Sequence, residues 1–221
     1  MIEGILIVNK PQGITSHDVV FRVRRRFKMK KVGHAGTLDP LATGVLVVLL
    51  GKSTKLSSQF ITFDKSYRAT VMLGTVTDSA DIQGKIIAQN PFKHVTNEQI
   101  LKAVSSFQGE FEQVPPMVSA VKHNGQRLYE LARQGIVIER KPRTVRIDCI
   151  KVEDINLPYI KIYVDCSKGT YIRQLAADIG DLLGCGACIS QIQRTKVGKF
   201  KLEEAVMIED LNEGHIRNWE G

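Results

Sequence analysis

One stretch limits the architecture of this 221-residue chain more than any other. Gly33-His34-Ala35-Gly36-Thr37-Leu38-Asp39-Pro40-Leu41-Ala42-Thr43-Gly44 lies between a basic run and an unbroken apolar strand, Val45-Leu46-Val47-Val48-Leu49-Leu50. Pro40 has no N–H, fixes its own φ, and pushes Asp39 towards extended geometry. The glycines let the backbone turn sharply and approach a ligand closely. The pattern therefore predicts a single acid presented on a rigid turn at the edge of a sheet.

The rest of the chain mixes strands and helices. Ile5 to Val8 reads as a short buried strand, and Lys10-Pro11-Gln12-Gly13 as a turn. Thr15 or Ser16 caps a helix running to about Phe27, with Val20, Val23 and Phe27 on one side and Arg22, Arg25 and Arg26 on the other. A short helix is expected around Ser53 to Phe60. Lys65 to Leu73 alternates as a strand, with Tyr67, Ala69, Val71 and Leu73 sharing one face. Gly74 to Gly84 reads as a polar loop. Thr96 and Gln99 form a capping box for a helix showing Ile100, Val104 and Phe107, with Gly109 as its stop. Val114-Pro115-Pro116 breaks regular structure, and a further helix is expected from about Arg127 to Gln134. Thr144 to Val152 and Tyr159 to Cys166 read as strands. Thr170 or Ser167 starts a helix carrying Ile172, Leu175, Ala176, Ile179 and Leu183, ended by Gly184. A strand from Lys196 to Lys201 and a last helix from about Leu202 complete the chain. Without steady βαβ alternation, this order predicts an α+β fold with a mixed, mostly antiparallel sheet.

The net charge of +8 favours a polyanionic partner. No apolar run approaches the ~20 residues of a membrane span. The N-terminal stretch Met1 to Asn9 lacks the basic region and cleavage site of a secretory signal, which predicts an intracellular, cytoplasmic protein. In that compartment Cys149, Cys166, Cys185 and Cys188 remain thiols. Cys185-Gly186-Ala187-Cys188 has no second pair at zinc spacing, so two incidental thiols are the expectation, with no metal and no cofactor.

Taken alone, an aspartate before a proline is more often a turn former than a catalyst. Its company elsewhere changes that weighting. Lys65-Ser66-Tyr67-Arg68-Ala69 puts a phenol on a strand face, which is also an ordinary place for a half-buried tyrosine. Cys166 to Arg173 runs from a strand through a glycine turn into a helix start, where free N–H groups suit phosphate. Arg173 offers a planar fork for a carboxylate or phosphate, or is simply a solvated helix charge.

Five segments resemble, in order, the motifs of the TruB family of pseudouridine synthases. They are Gly4 to Pro11 with Gly13 and Thr15-Ser16; the Asp39 loop; the Tyr67 segment; Pro115-Pro116, Ser119-Ala120, Lys122, Gly125 and Arg127 to Tyr129; and Ser167 to Arg173 followed by Ile192-Gln193-Arg194-Thr195. The loop carries Thr-Leu-Asp-Pro-Leu-Ala-Thr-Gly, not the Arg-Leu-Asp form of other pseudouridine synthase families. The resemblance covers nearly the whole chain.

That resemblance implies isomerisation of uridine to pseudouridine at position 55 in the T-arm loop of tRNA. The N1–C1′ bond breaks, the uracil turns in the site, and C5 joins C1′. A paired base is unreachable, so the uridine must flip out and its lost stacking must be replaced. By resemblance Asp39 is the nucleophile, or the base that removes the C2′ proton; Tyr67 stacks on the flipped base or acts in the proton transfer at C5; and Arg173 pairs with Asp39 to keep it ionised against burial. His34 is implied to fill space vacated in the T loop, Ile192 to lie against the base, and Lys10, Lys55 and Tyr171 to help near the substrate. Within the basic run, Arg25 and Arg26 are phosphate-contact candidates with salt-sensitive affinity. Residues 1–221 are expected to form a single catalytic domain, without the separate C-terminal PUA domain of many bacterial members. A monomer acting on tRNA with no obligate protein partner and no membrane is the matching expectation. Two rivals stand beside it: an RNA-binding or tRNA-folding protein without catalysis, and a guide-RNA-dependent relative. A carboxylate glycosidase would need a second acid paired with Asp39, and none is evident.

Overall fold

The apolar run after Asp39 becomes the strand around which the first half of the molecule is built. The computed structural model describes residues 2–119, 122–123, 125–128, 131, 134–136 and 138–219. It contains two compact units, Met1–Arg68 with Gln191–Gly221, and Ala69–Ser190. No helix among the described residues is long and apolar enough to cross a membrane.

In the first unit, β1 (Gly4–Lys10) is followed by α1 (Ser16–Arg26), β2 (Val32–Ala35) and β3 (Thr43–Leu50). β3 pairs antiparallel with β1, Val8 opposite Leu46, and antiparallel with β2, His34 opposite Val48. Ile5, Ile7, Val45, Val47 and Leu49 pack with Phe60, Val197 and Phe200. The alternate residues Leu6, Val8, Leu46, Val48 and Leu50 are buried too. Both faces of these strands are covered, which is why their sequences show no polar alternation. α1 starts as expected: Thr15 Oγ1 accepts from Asp18 N–H at 3.1 Å, and the Asp18 carboxylate accepts from Thr15 N–H at 2.8 Å. A 3₁₀ turn (Gly51–Leu56) and α2 (Ser57–Ile61) occupy the place of the expected short helix and lead into β4 (Lys65–Leu73).

The second unit differs more from expectation. The stretch read as a polar loop contains β5 (Thr75–Thr77), which pairs with β6 (Ile86–Gln89). Its short strands carry too few apolar residues to show a period. α3 (Asn97–Ser105) has the expected Thr96–Gln99 capping box. β7 (Gly109–Gln113) follows, then the small hairpin of β8 (Lys122–His123) and β9 (Gln126–Arg127). Half of the helix expected from Arg127 to Gln134, positions 129, 130, 132 and 133, lies outside the described residues, and its first residue, Arg127, belongs to β9. β10 (Arg143–Asn156) lies between β7 and β11 (Tyr159–Cys166), antiparallel to both. α3 packs against β10. α4 (Ile172–Leu182) begins at Tyr171, one residue later than the Thr170 expected to cap it; Thr170 Oγ1 donates instead to the Ser167 carbonyl.

β12 (Ala187–Val197) carries the chain back to the first unit and is longer than expected. Only Lys196 and Val197 of it fall in the expected strand; residues 187–195 escaped because Gln191, Gln193 and Arg194 interrupt the apolar pattern. Gln193 and Arg194 pair in parallel with Thr43 and Gly44 of β3. β13 (Phe200–Lys201) turns back on β12, and β14 (Val206–Met207) runs parallel to β1. In place of the expected last helix there are short 3₁₀ turns, Leu202–Glu204, Ile208–Asp210 and Glu213–His215, with β14 between the first two.

Candidate active site

The Asp39 turn is held through its main chain. From Gly36 to Pro40 every carbonyl has an internal donor. Arg194 Nη2 donates to Gly36 O at 3.1 Å and Nη1 to Thr37 O at 3.4 Å. Ser16 Oγ donates to Leu38 O at 3.0 Å and accepts from Leu38 N–H at 2.8 Å. Ala42 N–H closes the turn on Asp39 O at 3.0 Å, and Gly13 N–H reaches Pro40 O at 2.8 Å. Gly33 to Ala35, which join β2, and Thr43 and Gly44, which open β3, leave the loop expected here. Asp39 itself is half-buried. A carboxylate on a backbone fixed from several sides keeps its geometry at little reorganisation cost, which is what a reacting group requires.

Lys10 and His34 border this turn. Lys10 is fully buried; its ammonium donates to Pro11 O at 2.9 Å and Ile14 O at 2.7 Å, and reaches Pro40 O at 3.5 Å. Burial pushes this amine down to about 8; the Asp39 charge opposes the shift and the Arg194 charge adds to it. His34 is held below its ordinary value by burial, then by the charges of Arg194 and His17, so a neutral ring is favoured. Tyr67 on β4 and Ile192 on β12 are both buried.

The cationic candidates divide by exposure. Lys55 is exposed on the 3₁₀ turn after β3. Arg25 and Arg26 are exposed at the end of α1. Arg25 lies 6.0 Å from the Phe21 ring centre, and Arg26 Nε donates to Leu211 O at 2.9 Å. Arg26 therefore also ties down the C-terminal segment.

Tyr171 and Arg173 belong to the second unit. Gln113 was not singled out from sequence, yet its buried amide pairs with the main chain at the head of α4. Its Oε1 accepts from Tyr171 N–H at 2.8 Å and its Nε2 donates to Tyr171 O at 3.1 Å. Arg173 is 3 % exposed. Its Nη1 donates to Ser79 O at 2.8 Å and pairs with Asp81 Oδ2 at 3.2 Å, while Nη2 donates to Val118 O at 2.8 Å. Asp81 is the carboxylate set against Arg173 within this unit, and it too was missed. Its loop is folded tightly: Ser79 Oγ and Gln83 N–H both donate to Asp81 Oδ1, and Ala80 has φ +60. A non-glycine residue in that region was the available structural signal, but it is invisible in sequence.

Among the described residues no group of three His, Cys, Asp or Glu side chains is placed to hold a metal. Cys185 and Cys188 are buried, and burial raises both thiols, Cys188 to about 11. Ala120 and Tyr129, in the fourth matching segment, lie outside the described residues.

Residues 24–172 match the TruB family pseudouridylate synthase (N terminal domain), and residues 173–219 match the tRNA pseudouridylate synthase B C-terminal domain. A tRNA pseudouridine synthase B of Protochlamydia amoebophila is 50% identical over 224 aligned residues, covering 98% of this chain and 85% of the relative. One from Clostridium tetani is 46% identical over 218 residues, covering 99% and 75%. One from Endomicrobium trichonymphae is 46% identical over 211 residues, covering 96% and 92%. Among solved structures, a Cbf5-Nop10-Gar1 complex matches with a TM-score of 0.74 at 33% identity, over 94% of this chain and 53% of that one. An H/ACA RNP bound to a substrate RNA containing 2'-deoxyuridine gives 0.70 at 29% identity, over 94% and 52%. The chain spans about half the length of those two solved chains. With both family matches end to end and relatives near half identity along almost its whole length, the chain belongs to the TruB family of pseudouridine synthases.

Proposed function

We propose that this chain isomerises uridine to pseudouridine at position 55 in the T-arm loop of tRNA. The observation that carries the reading is the Asp39 turn, a carboxylate on a main chain fixed at five consecutive carbonyls, in a chain of this family. The target base is flipped from the T loop, since a stacked and paired uridine cannot reach a protein carboxylate. Tyr67 stacks on the flipped base and Ile192 lies against it. Asp39 attacks the sugar or removes the C2′ proton. The N1–C1′ bond breaks, the uracil rotates, C5 bonds to C1′, and the C5 proton is lost as N1 becomes N–H. Arg173 and Tyr171 serve the same reaction. His34 enters the T loop as a neutral ring, and Lys10 and Lys55 help near the substrate. Arg25 and Arg26 meet phosphates, aided by the net charge of +8. The enzyme acts in the cytoplasm as a monomer, its residues 1–221 working as one catalytic domain.

The test is pseudouridine formation in an unmodified tRNA transcript, mapped by carbodiimide-blocked primer extension, with wild type and Asp39→Asn. Product at the T-loop uridine with wild type alone is the expected result. No product from either, with RNA binding intact, would replace this reading with the binding-protein or guide-dependent one. Modification of a bare T-arm hairpin by the purified protein alone would exclude both rivals, since neither a binding protein nor a guide-dependent enzyme modifies it unaided.

A further inference from the structure

The geometry points to Arg194, backed by Ser16, as a positioning residue for Asp39 in the proposed reaction, an inference that rests on that reading. Arg194 is 1 % exposed. Its guanidinium joins carbonyls from two stretches of the chain: Val45 O from Nε at 2.7 Å, and the adjacent Thr37 O from Nη1 at 3.4 Å and Gly36 O from Nη2 at 3.1 Å. Two of these precede Asp39 and one follows it. The single side chain therefore ties the entry and exit of the turn together, while Ser16 grips Leu38 from α1 with both a donor and an acceptor.

The base of this clamp is itself fixed. Arg194 pairs in parallel with Gly44, and a Cβ at Gly44 would lie 2.2 Å from the Arg194 carbonyl oxygen. The two strands meet at a distance that only glycine permits. From that anchored start the side chain reaches Val45, the next residue along β3. A planar fork with several fixed donors fits three carbonyls at once. A lysine ammonium at the same place has no fixed fork to span them.

The buried charge has a second effect. Arg194 contributes to lowering both Lys10 and His34, after burial in each case. The same group that shapes the turn thus opposes charge on two of its neighbours.

The experiment uses the full chain and an unmodified tRNA transcript. Single-turnover rate, RNA affinity and thermal melting are measured for wild type, Arg194→Lys and Ser16→Ala. The expected result for Arg194→Lys is cooperative melting, RNA affinity within about threefold of wild type, and a single-turnover rate about 10²-fold lower, as expected for a reacting group displaced by about 1 Å. Ser16→Ala should show the same split between rate and binding, at a smaller size. A rate for folded Arg194→Lys within about threefold of wild type would overturn the inference. So would a rate loss equalled by the affinity loss, which would make Arg194 a binding residue. If Arg194→Lys does not fold, Ser16→Ala decides: a slowed rate with intact affinity supports the clamp, and an unchanged rate overturns it. If wild type itself makes no product, the functional reading fails; if wild type is active and the variants match it, only the clamp fails.

Discussion

Replacing Gly44 by alanine isolates the contact between β3 and β12. Gly44 has φ +100, and a Cβ there would lie 2.2 Å from the Arg194 carbonyl oxygen and 3.0 Å from its carbonyl carbon and nitrogen. Contacts under 3.0 Å are not tolerated, and the obstacle is backbone, so no side-chain rotation relieves it. The strands must part by about 1 Å. Two costs follow. The left-handed conformation costs an L residue about 1–2 kcal/mol, and forced displacement inside a packed core costs about 1–3 kcal/mol. Gly44→Ala should therefore lose about 2–5 kcal/mol. Gly36→Ala is the matched control: φ is +88, but its Cβ would lie 3.7 Å from Arg194 Nη1, an ordinary contact. It should lose only the conformational part, about 1–2 kcal/mol. The assay is urea unfolding followed by Trp219, the chain's single tryptophan, whose ring lies 4.7 Å from Phe60 in the first-unit core. Losses for the two variants within about 0.5 kcal/mol of each other would refute the claim that the strand contact demands glycine.

Other outcomes follow from the buried charges and thiols. Asp81→Ala breaks a buried ion pair with Arg173, and should cost about 3–5 kcal/mol in thermal or chemical unfolding; a loss under about 1 kcal/mol would show that the pair is not holding the loop. Between about 8 and the usual 10.5, unfolded Lys10 binds a proton that the native amine has lost, so this group's contribution to stability rises with pH across that window. Stability curves of wild type and Lys10→Met should diverge there by about 3 kcal/mol in favour of wild type; parallel curves would refute the shift. In the native protein iodoacetamide at pH 8 should label half-buried Cys149 first and leave Cys185 and Cys188 unmodified, read by mass spectrometry. Equal labelling at all three positions would contradict the burial of the latter two.

What was legible in the sequence was local. Thr15 with Asp18, and Thr96 with Gln99, are reciprocal caps three residues apart, so the helices they start were readable. β1 and β3 showed as apolar runs, and Asp39 was found by its motif. What escaped was long-range and directed at main chain. Ser16 meets Leu38 across 22 positions, Tyr171 meets Gln113 across 58, and Arg194 meets Gly36 across 158. Side-chain bonds to carbonyls impose no residue type on the partner, so nothing in the partner's sequence announces them. The same reason hid β12, whose central arginine looks like a surface residue in sequence and is buried in the fold.

The turn that bears Asp39 is the most recognisable stretch of the chain, yet it is not a portable module. Its shape is imposed by Lys10, Gly13, Ser16 and Arg194, all of which lie outside the dodecapeptide. A peptide of residues 33–44, or the same twelve residues grafted on another hairpin, would carry the signature without the conformation. What carries the conformation is the motif together with its distant props, so the twelve letters by themselves do not specify the turn.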